Sequence, residues 1–354
     1  MFIMRITMTK ALQFIKKLMD RPSIAVDLGT ANTRIFSMDM GIIREKPSVI
    51  SPIKNGKRKK VSDKYISYLN SKFIYNPLRG GVVVDIRNAV NLLKPLLKET
   101  IKGIRSPVSL ASAPTDTSPK ERELLARAIL DAGASHVAII PEVWAAAIGA
   151  GIDVGSKYAQ VLIDIGEGVT DLAVIRDWQL IYTSAVRVAC SDLQKAVRTV
   201  IVSRHKVYIC PAEAERLTHS ISSISHGHSL ISKYITVHGN DIFSGANVTV
   251  NVNEKDIINA MEPVINRILK MIESNIKKLH TSVLNEIADS GICLSGGGAC
   301  IAGIDKLIES RINMSVRIAQ DPIHSVINGE IETLKYWHGH KNWWQDISWP
   351  KSLQ

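Results

Sequence analysis

Short apolar runs, each followed by a turn-forming residue, predict the first strands of this chain. Such runs occur at residues 23–26, 108–111, 136–140 and 160–163. They have the length of buried strands rather than of helices. The segment from Pro119 to Asp131 is predicted to be a helix, because Ser118 is a typical N-cap, proline suits the first helical position and Gly133 ends the pattern.

One short motif occurs twice, directly after two of these runs. The motif is Asp-aliphatic-Gly-x-x-x-Thr, at residues 27–33 and 164–170, and the two copies start 137 residues apart. Each copy is followed by another strand-like segment, at residues 34–38 and 171–175, so each is predicted to be a β-hairpin with a turn of small residues. Two equivalent hairpins at this separation suggest two similar α/β domains.

The residue types of this turn suit a phosphate and a divalent cation. Glycines let backbone N–H groups converge on an anion, because no Cβ stands in the way. An aspartate at the strand end would repel phosphate directly, but it can hold Mg²⁺ through water. A single copy would be an ordinary glycine turn. Two copies at domain spacing instead indicate a shared phosphate site.

Two further segments have the position expected of ligand contacts. Residues 294–299 place three glycines between the apolar run 291–294 and a predicted helix at 301–309. This arrangement allows close backbone approach to a base or ribose, although alone it could equally be a tight loop. Glu142 follows the predicted strand at 136–140 and begins an alanine-rich helix, where α/β folds place ligands.

At these residues the chain resembles the actin/Hsp70 ATPase superfamily, and most closely the bacterial actin family MreB. The matching segments read IAVDLGTANT, PLRGGVVVDI, ASAPTDTSPKERELLARAILDAGA, IIPEVWAAAIGAGI, LIDIGEGVTDLAVI and GICLSGGGA. They span roughly residues 23–335 in the family's order, and the match is specific because several independent motifs recur at compatible spacings.

The resemblance implies an actin-like (ribonuclease H-like) α/β fold, in which duplicated α/β domains surround a nucleotide cleft. The implied parts are an N-terminal helix at residues 1–22, domain I at 23–152 with a small subdomain at about 51–80, domain II at 153–315 with a small subdomain at about 191–256, a segment at about 316–336 that returns to domain I, and a Trp-rich tail at 337–354.

The resemblance also implies ATP and Mg²⁺ as ligands and assigns residues to them. Glu142 matches the acidic residue that polarises the attacking water. Asp27 and Asp164 match the residues that position Mg²⁺ through its waters. Asp27 and Asp164 also count among the implied nucleotide-binding residues, together with Gly29, Thr30, Ala31, Asn32, Gly166, Glu167, Gly168, Val169, Glu215, Arg216, Thr218, Gly296, Gly297, Gly298 and Ala299.

The chain departs from the family pattern mostly on the nucleoside side. Glu167 replaces the middle glycine of the second phosphate turn, and Val143 replaces the proline after the catalytic glutamate. Thr218 and His219 or Ser220 stand where the family has the Lys and Glu that contact the nucleoside, and the segment VINGEIETL lacks the family's glycine run. These departures predict ATP binding more firmly than efficient ATP turnover.

Charge is concentrated at the N-terminal end of the chain. The net charge is +11, and residues 1–60 hold 13 Lys or Arg against 4 Asp or Glu. A localised basic region suggests an anionic partner, either phospholipid headgroups or nucleic acid. Residues 8–21 form a basic amphipathic helix pattern ended by Pro22, which is typical of an interfacial membrane anchor. The alternative is a terminal helix packed on domain I.

The combined prediction is an MreB-like bacterial actin in the cytoplasm, peripheral on the inner face of the cell membrane. Such a protein forms ATP-dependent, membrane-associated filaments that organise cell-wall synthesis and maintain rod shape. The expected partners are further copies of the chain, the anionic inner membrane surface and membrane proteins of cell-wall elongation; nucleic acid is not expected. The alternatives are a non-polymerising ATPase of the same superfamily and a plasmid-segregating actin. No apolar run reaches the roughly 18–20 residues of a membrane-spanning helix.

Three other features lead to weaker expectations. The pairs His226/His228 and His338/His340 lack further ligands at metal spacing, so metal is not expected there. The segment from Asp256 to His280 is predicted to be a core helix, kinked or broken at Pro263. The Trp-rich tail could pack on domain I, dock a partner or sit at a membrane interface.

Overall fold

A computed structural model describes residues 22–50, 75–101, 105–221, 224, 233–337, 345, 347, 349 and 350. Several expectations lie outside these residues: the amphipathic helix at 8–21, most of the small subdomain at about 51–80, both histidine pairs and most of the tail. Within the described residues, no helix has the length and apolar character required to cross a membrane.

The described strands and helices alternate as the apolar pattern predicts. The strands are β1 (Ser23–Leu28), β2 (Asn32–Ser37), β3 (Ile42–Pro47), β4 (Leu78–Arg79), β5 (Val82–Val83), β6 (Val108–Ala113), β7 (His136–Pro141), β8 (Gln160–Ile165), β9 (Thr170–Arg176), β10 (Gln179–Val186), β11 (Val207–Tyr208), β12 (Tyr234–Asp241), β13 (Asn247–Asn253), β14 (Ile292–Ser295) and β15 (Val316–Ile318). The helices are α1 (Ile86–Thr100), α2 (Pro119–Ala132), α3 (Glu142–Gly149), α4 (Cys190–His205), α5 (Pro211–Ser220), α6 (Glu254–Ile276), α7 (Thr281–Ser290), α8 (Ile304–Ile312) and α9 (Ser325–Trp337).

Two five-stranded sheets have the same topology. The first has the order β3-β2-β1-β6-β7 and the second has the order β10-β9-β8-β14-β15. In each sheet an antiparallel hairpin is extended by one antiparallel strand on one side and two parallel strands on the other. The fold therefore repeats one unit, as the duplicated motif predicts, and each copy of the motif ends a central strand of its sheet.

The sheets are apolar on both faces because helices cover them. Strand β6 is buried at every position, and β8 and β9 are buried at all but their outer ends. Such continuous burial is typical of a sheet between helical layers. Helix α2 begins as predicted, since Ser118 and Glu121 form a reciprocal capping box, and Gly133 caps its end with a φ of 128°.

Helices α3 and α9 pack against each other between the two sheets. Helix α3 follows β7 of the first sheet and packs on the second sheet, whereas α9 follows the second sheet and packs on β1 and β6 of the first. They approach closely at Gly149 and Gly329. A Cβ at Gly149 would lie 1.8 Å from the Ser325 carbonyl oxygen, and one at Gly329 would lie 1.7 Å from the Ala145 carbonyl oxygen.

Replacing Gly329 by Ala is therefore expected to destabilise the protein. Alanine normally stabilises a helix relative to glycine, but here its methyl group must push two helix backbones apart, at a cost of at least about 2 kcal/mol. Urea titration of the variant measures the change in free energy of unfolding. Asn328→Ala, one position earlier on α9, is the control, and equal stability of both variants would contradict the close packing.

Three local expectations differ from the structure. Helix α6 runs through Pro263 without a break, since its apolar face keeps packing on the second core on both sides of the proline. The predicted helix at 301–309 starts at Ile304 instead, because the glycine turn first forms a short 3₁₀ helix at Gly297–Cys300. The segment expected to return to domain I from about residue 316 begins with β15, which pairs with β14 in the second sheet; the return is made by α9.

The described part of the tail packs on the first half of the molecule. Trp349 contacts the core cluster around α1 and α2, and the Arg122 guanidinium carbon lies 4.2 Å from the centre of its ring. For Trp349, this contact agrees with the first of the three alternatives for the tail, which is packing on domain I.

Candidate functional site

One cleft lies between the two sheets and is lined by both copies of the repeated turn. Fourteen of the residues assigned from the sequence line it: Asp27, Gly29, Thr30, Ala31, Asn32, Glu142, Asp164, Gly166, Glu167, Gly168, Val169, Glu215, Gly296 and Gly297. The turns lie in one cavity because β1 and β8, whose ends they follow, are the equivalent central strands of the two sheets.

Four carboxyl groups gather at this cleft: Asp27, Asp164 and Asp171 are buried, and Glu142 is half-buried. Asp27 and Asp164 end β1 and β8, Asp171 lies opposite Asp164 on β9, and Glu142 begins α3. The Ser295 hydroxyl donates to Asp164, and the Thr115 hydroxyl donates to Asp171 over 2.8 Å. The Thr115 bond also joins the first half of the molecule to the second.

Burial makes these carboxyl groups reluctant to ionise. It raises the pKa of Asp164 to about 6 and that of Asp171 to about 7. The charge of Asp27 raises the pKa of Asp164 further, and the charge of Asp164 raises that of Asp171. Burial raises the pKa of Glu142 well above the ordinary glutamate value, and the charges of Asp171, Asp164 and Asp27 raise it further. A cation placed among the carboxylates would relieve this repulsion, and water-mediated oxygen ligands are those that Mg²⁺ prefers.

The two turns touch each other across the cleft. A Cβ on Gly168 would lie 2.9 Å from Cα of Gly80 and 3.0 Å from the Thr30 hydroxyl oxygen. The Thr30 hydroxyl in turn accepts a 3.0 Å hydrogen bond from the Gly81 backbone N–H. Glycine is therefore required at residue 168, because a side chain there would separate the two halves of the site.

A charged bridge holds the halves together beside the turns. Arg187, after β10, donates from Nε to Asp116 over 2.9 Å and from Nη2 to Glu121 over 3.3 Å. Asp116 and Glu121 belong to the first half, so the bridge crosses the cleft. The pKa of Glu121 is lowered by its hydrogen bonds to Ser118 and by Arg187.

The nucleoside side of the cleft is acidic. Glu167 accepts a 3.2 Å hydrogen bond from Gln194, and burial, with the nearby Glu215, raises its pKa to about 8. Cys190 and His219 complete this wall, and Gly296 and Gly297 face it. The wall differs from the Lys and Glu pair of the family pattern, as the sequence indicated.

Four residues assigned from the sequence do not line the cleft. Arg216 pairs with Glu213 and donates to the Thr236 carbonyl oxygen, so it is engaged beside the β12–β13 hairpin. The Thr218 hydroxyl donates to the Glu215 carbonyl oxygen of its own helix. Gly298 and Ala299 pack inward: a Cβ on Gly298 would lie 2.2 Å from the Ile165 side chain.

Comparison with known proteins assigns the family. A family model described as MreB/Mbl protein matches residues 21–342. The chain belongs to the MreB/Mbl family. This confirms the resemblance that the repeated turns and the segments around them indicated.

Individual relatives of this MreB/Mbl chain agree with the assignment. The cell shape-determining protein MreB of Haemophilus influenzae is 29% identical over 326 residues, which cover 88% of this chain and 92% of the relative. The crystal structure of MreB5 of Spiroplasma citri bound to ADP is 27% identical, with a TM-score of 0.80 over 92% of this chain and 98% of that one. The same protein bound to AMPPNP gives a TM-score of 0.79.

These structures confirm the actin-like fold. A third match, MamK in a double helical filament, has 19% identity and a TM-score of 0.73 over 89% of this chain and 99% of that one. At that identity the likeness concerns the fold alone.

Sequence reasoning missed two charged residues of the cleft in this MreB/Mbl chain. Arg34 lines the cleft, and Asp171 is buried within its carboxyl cluster. Both were available from the repeat, since each is the residue seven positions after the motif's aspartate. The hairpin register places Asp27 opposite Arg34 and Asp164 opposite Asp171. Within the described residues, no group of three or more His, Cys, Asp or Glu is arranged to ligate a metal directly.

The raised pKa values predict that the protein without ligands loses stability as the pH rises. The native state keeps protons on Asp164, Asp171 and Glu167 that the unfolded chain has released, so unfolding releases protons and is favoured at high pH. Between about pH 5 and about pH 8 the combined loss for these three groups should be on the order of 7 kcal/mol. Urea titrations across this range, in a chelating buffer, test it; stability that rises with pH would contradict the buried acidic cluster.

Proposed function

We propose that this chain binds ATP with Mg²⁺ in the cleft and assembles with ATP into filaments on the inner face of the cell membrane. In this proposal the filaments organise cell-wall synthesis and maintain rod shape. The observation that carries the proposal is that both repeated turns line one cleft together with the carboxyl groups of Asp27, Asp164 and Glu142. The AMPPNP and ADP bound to MreB5 of Spiroplasma citri support nucleotide as the ligand.

The residues of the two turns supply complementary halves of a triphosphate site. Residues 29–32 and 166–169 line the cleft from its two sides, and backbone N–H groups of such glycine turns bind phosphate oxygens. Asp27 and Asp164 would hold the waters of Mg²⁺, which neutralises phosphate charge when it is bound. Gly296 and Gly297 would lie against the nucleoside, opposite Glu167 and Glu215.

Glu142 is the proposed catalytic residue. It is half-buried at the start of α3. Its pKa is raised well above the ordinary value, so its carboxyl group is a stronger proton acceptor than an exposed glutamate once it ionises. In this role it orients a water molecule and accepts a hydrogen bond from it. The crowded carboxylates and the altered nucleoside wall favour slow hydrolysis rather than rapid turnover.

Membrane association rests on the sequence alone. The basic amphipathic pattern at residues 8–21 precedes the first strand, and a filament that displays many such segments binds a surface through avidity. Membrane proteins of cell-wall elongation are the partners that a filament of this family would organise.

Sedimentation of the full chain with anionic vesicles tests the proposal. We expect pelleting that requires ATP and Mg²⁺, filaments in electron micrographs, and loss of vesicle binding when residues 1–21 are deleted. Nucleotide binding without any assembly would instead favour a non-polymerising ATPase. Salt-sensitive binding to DNA would favour a plasmid-segregating actin.

A further inference from the structure

Arg34 is a buried cation at the cleft that the proposed function does not use. It lies in the middle of β2, is 7% exposed and lines the cleft. Its Nη1 donates to Asp27 Oδ2 over 3.0 Å, and its Nη2 forms an ion pair with Glu45 Oε1 at 2.8 Å. Its Nε is buried and has no hydrogen-bond partner among the described residues.

Strand register holds Arg34 in this place. Asp27 of β1, Arg34 of β2 and Glu45 of β3 are successive cross-strand partners, so their side chains form a ladder on one face of the first sheet. His324 extends the ladder, with Nε2 3.5 Å from Glu45 Oε2. Since both neighbouring carboxylates bind the same guanidinium, its position is fixed before any ligand arrives.

The surrounding charge is strongly negative. Among the described residues that line the cleft, Arg34 is the only arginine or lysine. Glu330 of α9 is fully buried, and neither of its carboxyl oxygens has a hydrogen-bond partner among the described residues. Ser112 lies close enough to lower the pKa of Glu330. Burial and the charge of Asp27 hold the pKa of Glu330 well above the ordinary value. The positive charge of Arg34 therefore acts on Glu330 as well as on its two ion-pair partners, Asp27 and Glu45.

The second half of the molecule has no such cation at the equivalent position. There the residue opposite the motif's aspartate is Asp171, which adds a carboxyl group instead of a guanidinium. The two hairpins thus differ in charge at the position opposite the motif's aspartate, which is Arg34 in the first and Asp171 in the second. A buried arginine is costly to place, so it is expected only where it compensates other buried charge.

We propose that Arg34 is a built-in cation of the nucleotide site, which positions and neutralises Asp27 so that the cleft holds a nucleoside triphosphate with only weak dependence on Mg²⁺. The inference rests on the proposed function, because it requires the cleft to bind nucleotide. Arg34 acts through Asp27, and its free Nε–H can donate to a phosphate oxygen or to an ordered water. It is a positioning residue, not a catalytic one.

Binding of AMPPNP to the full chain, measured with Mg²⁺ and with EDTA, tests this inference. For the unchanged protein, removal of Mg²⁺ should weaken binding by less than about tenfold. In Arg34→Met the same removal should weaken binding by at least about tenfold more, because Asp27 then faces the phosphates uncompensated. Arg34→Lys should restore most of the binding in EDTA. Arg176→Met, which removes an ion pair with Glu286 outside the cleft, is the control and should behave like the unchanged protein.

The outcomes separate this inference from the proposed function. If the unchanged protein binds AMPPNP only with Mg²⁺, the inference is wrong and the function stands. If it binds in neither buffer, the proposed function fails as well. If Arg34 had a purely structural role, Arg34→Met would bind AMPPNP more weakly by the same factor in both buffers, and this result would also overturn the inference. If Arg34→Met does not fold, the double variant Arg34→Met/Glu330→Gln is used instead, because it also removes a buried carboxyl group. It should show the same Mg²⁺ dependence of AMPPNP binding. Whether the unchanged protein binds AMPPNP without Mg²⁺ is decided without any variant.

Discussion

Replacing Glu142 by Gln is expected to reduce ATP hydrolysis by about 100-fold or more. The amide keeps the size of the side chain but cannot accept a proton from water. Nucleotide binding should persist, because Glu142 begins α3 beside the turns rather than within them. Removal of a half-buried carboxyl group crowded by Asp171, Asp164 and Asp27 should also leave the fold intact or more stable.

Single-turnover release of phosphate measures the hydrolysis rate, and equilibrium binding of AMPPNP measures affinity in the same preparation. Glu262→Gln, on the exposed side of α6, makes the same chemical change away from the cleft and should leave both values unchanged. Hydrolysis by Glu142→Gln at the rate of the unchanged protein would remove Glu142 from the mechanism.

Replacing Asp164 by Asn is expected to change stability and binding in opposite directions. At about pH 8 the buried carboxylate is ionised at a cost, since its pKa is raised to about 6, so the neutral amide should stabilise the ligand-free protein by about 1–3 kcal/mol. Asparagine can still accept the hydrogen bond from Ser295. Binding of AMPPNP with Mg²⁺ should weaken severalfold, by no more than about tenfold, because one of the two proposed positions for the cation's waters is lost.

Urea titration and calorimetric binding of Asp164→Asn test the two effects together. Asp289→Asn, on the exposed face of α7, is the matched control. A variant that is both less stable and weaker in binding would indicate a structural role for Asp164. A variant with unchanged affinity would exclude it from the site.

The parts of the site that the sequence predicts are those encoded locally. Both phosphate turns follow from the spacing of aspartate, glycine and threonine, and the repeat itself predicts that the halves resemble each other. Glu142 follows from its position between a strand and an alanine-rich helix. In each case neighbouring residues determine the backbone, so tertiary packing confirms the prediction without changing it.

The residues that the sequence does not predict depend on distant contacts. The repeat places Arg34 opposite Asp27, but only its pairing with Glu45 and its place under α9 show that it is buried. Glu330 reads as an ordinary solvent-facing position of a helix. Thr218 and Arg216 were assigned by sequence resemblance, but their own hydrogen bonds direct them away from the cleft.

A structure of the full chain with AMPPNP and Mg²⁺ tests the account most directly. We predict that the triphosphate lies between residues 29–32 and 166–169, with the cation's waters on Asp27 and Asp164. A nucleotide bound elsewhere, or a cleft that stays closed to nucleotide at saturating concentration, would contradict it.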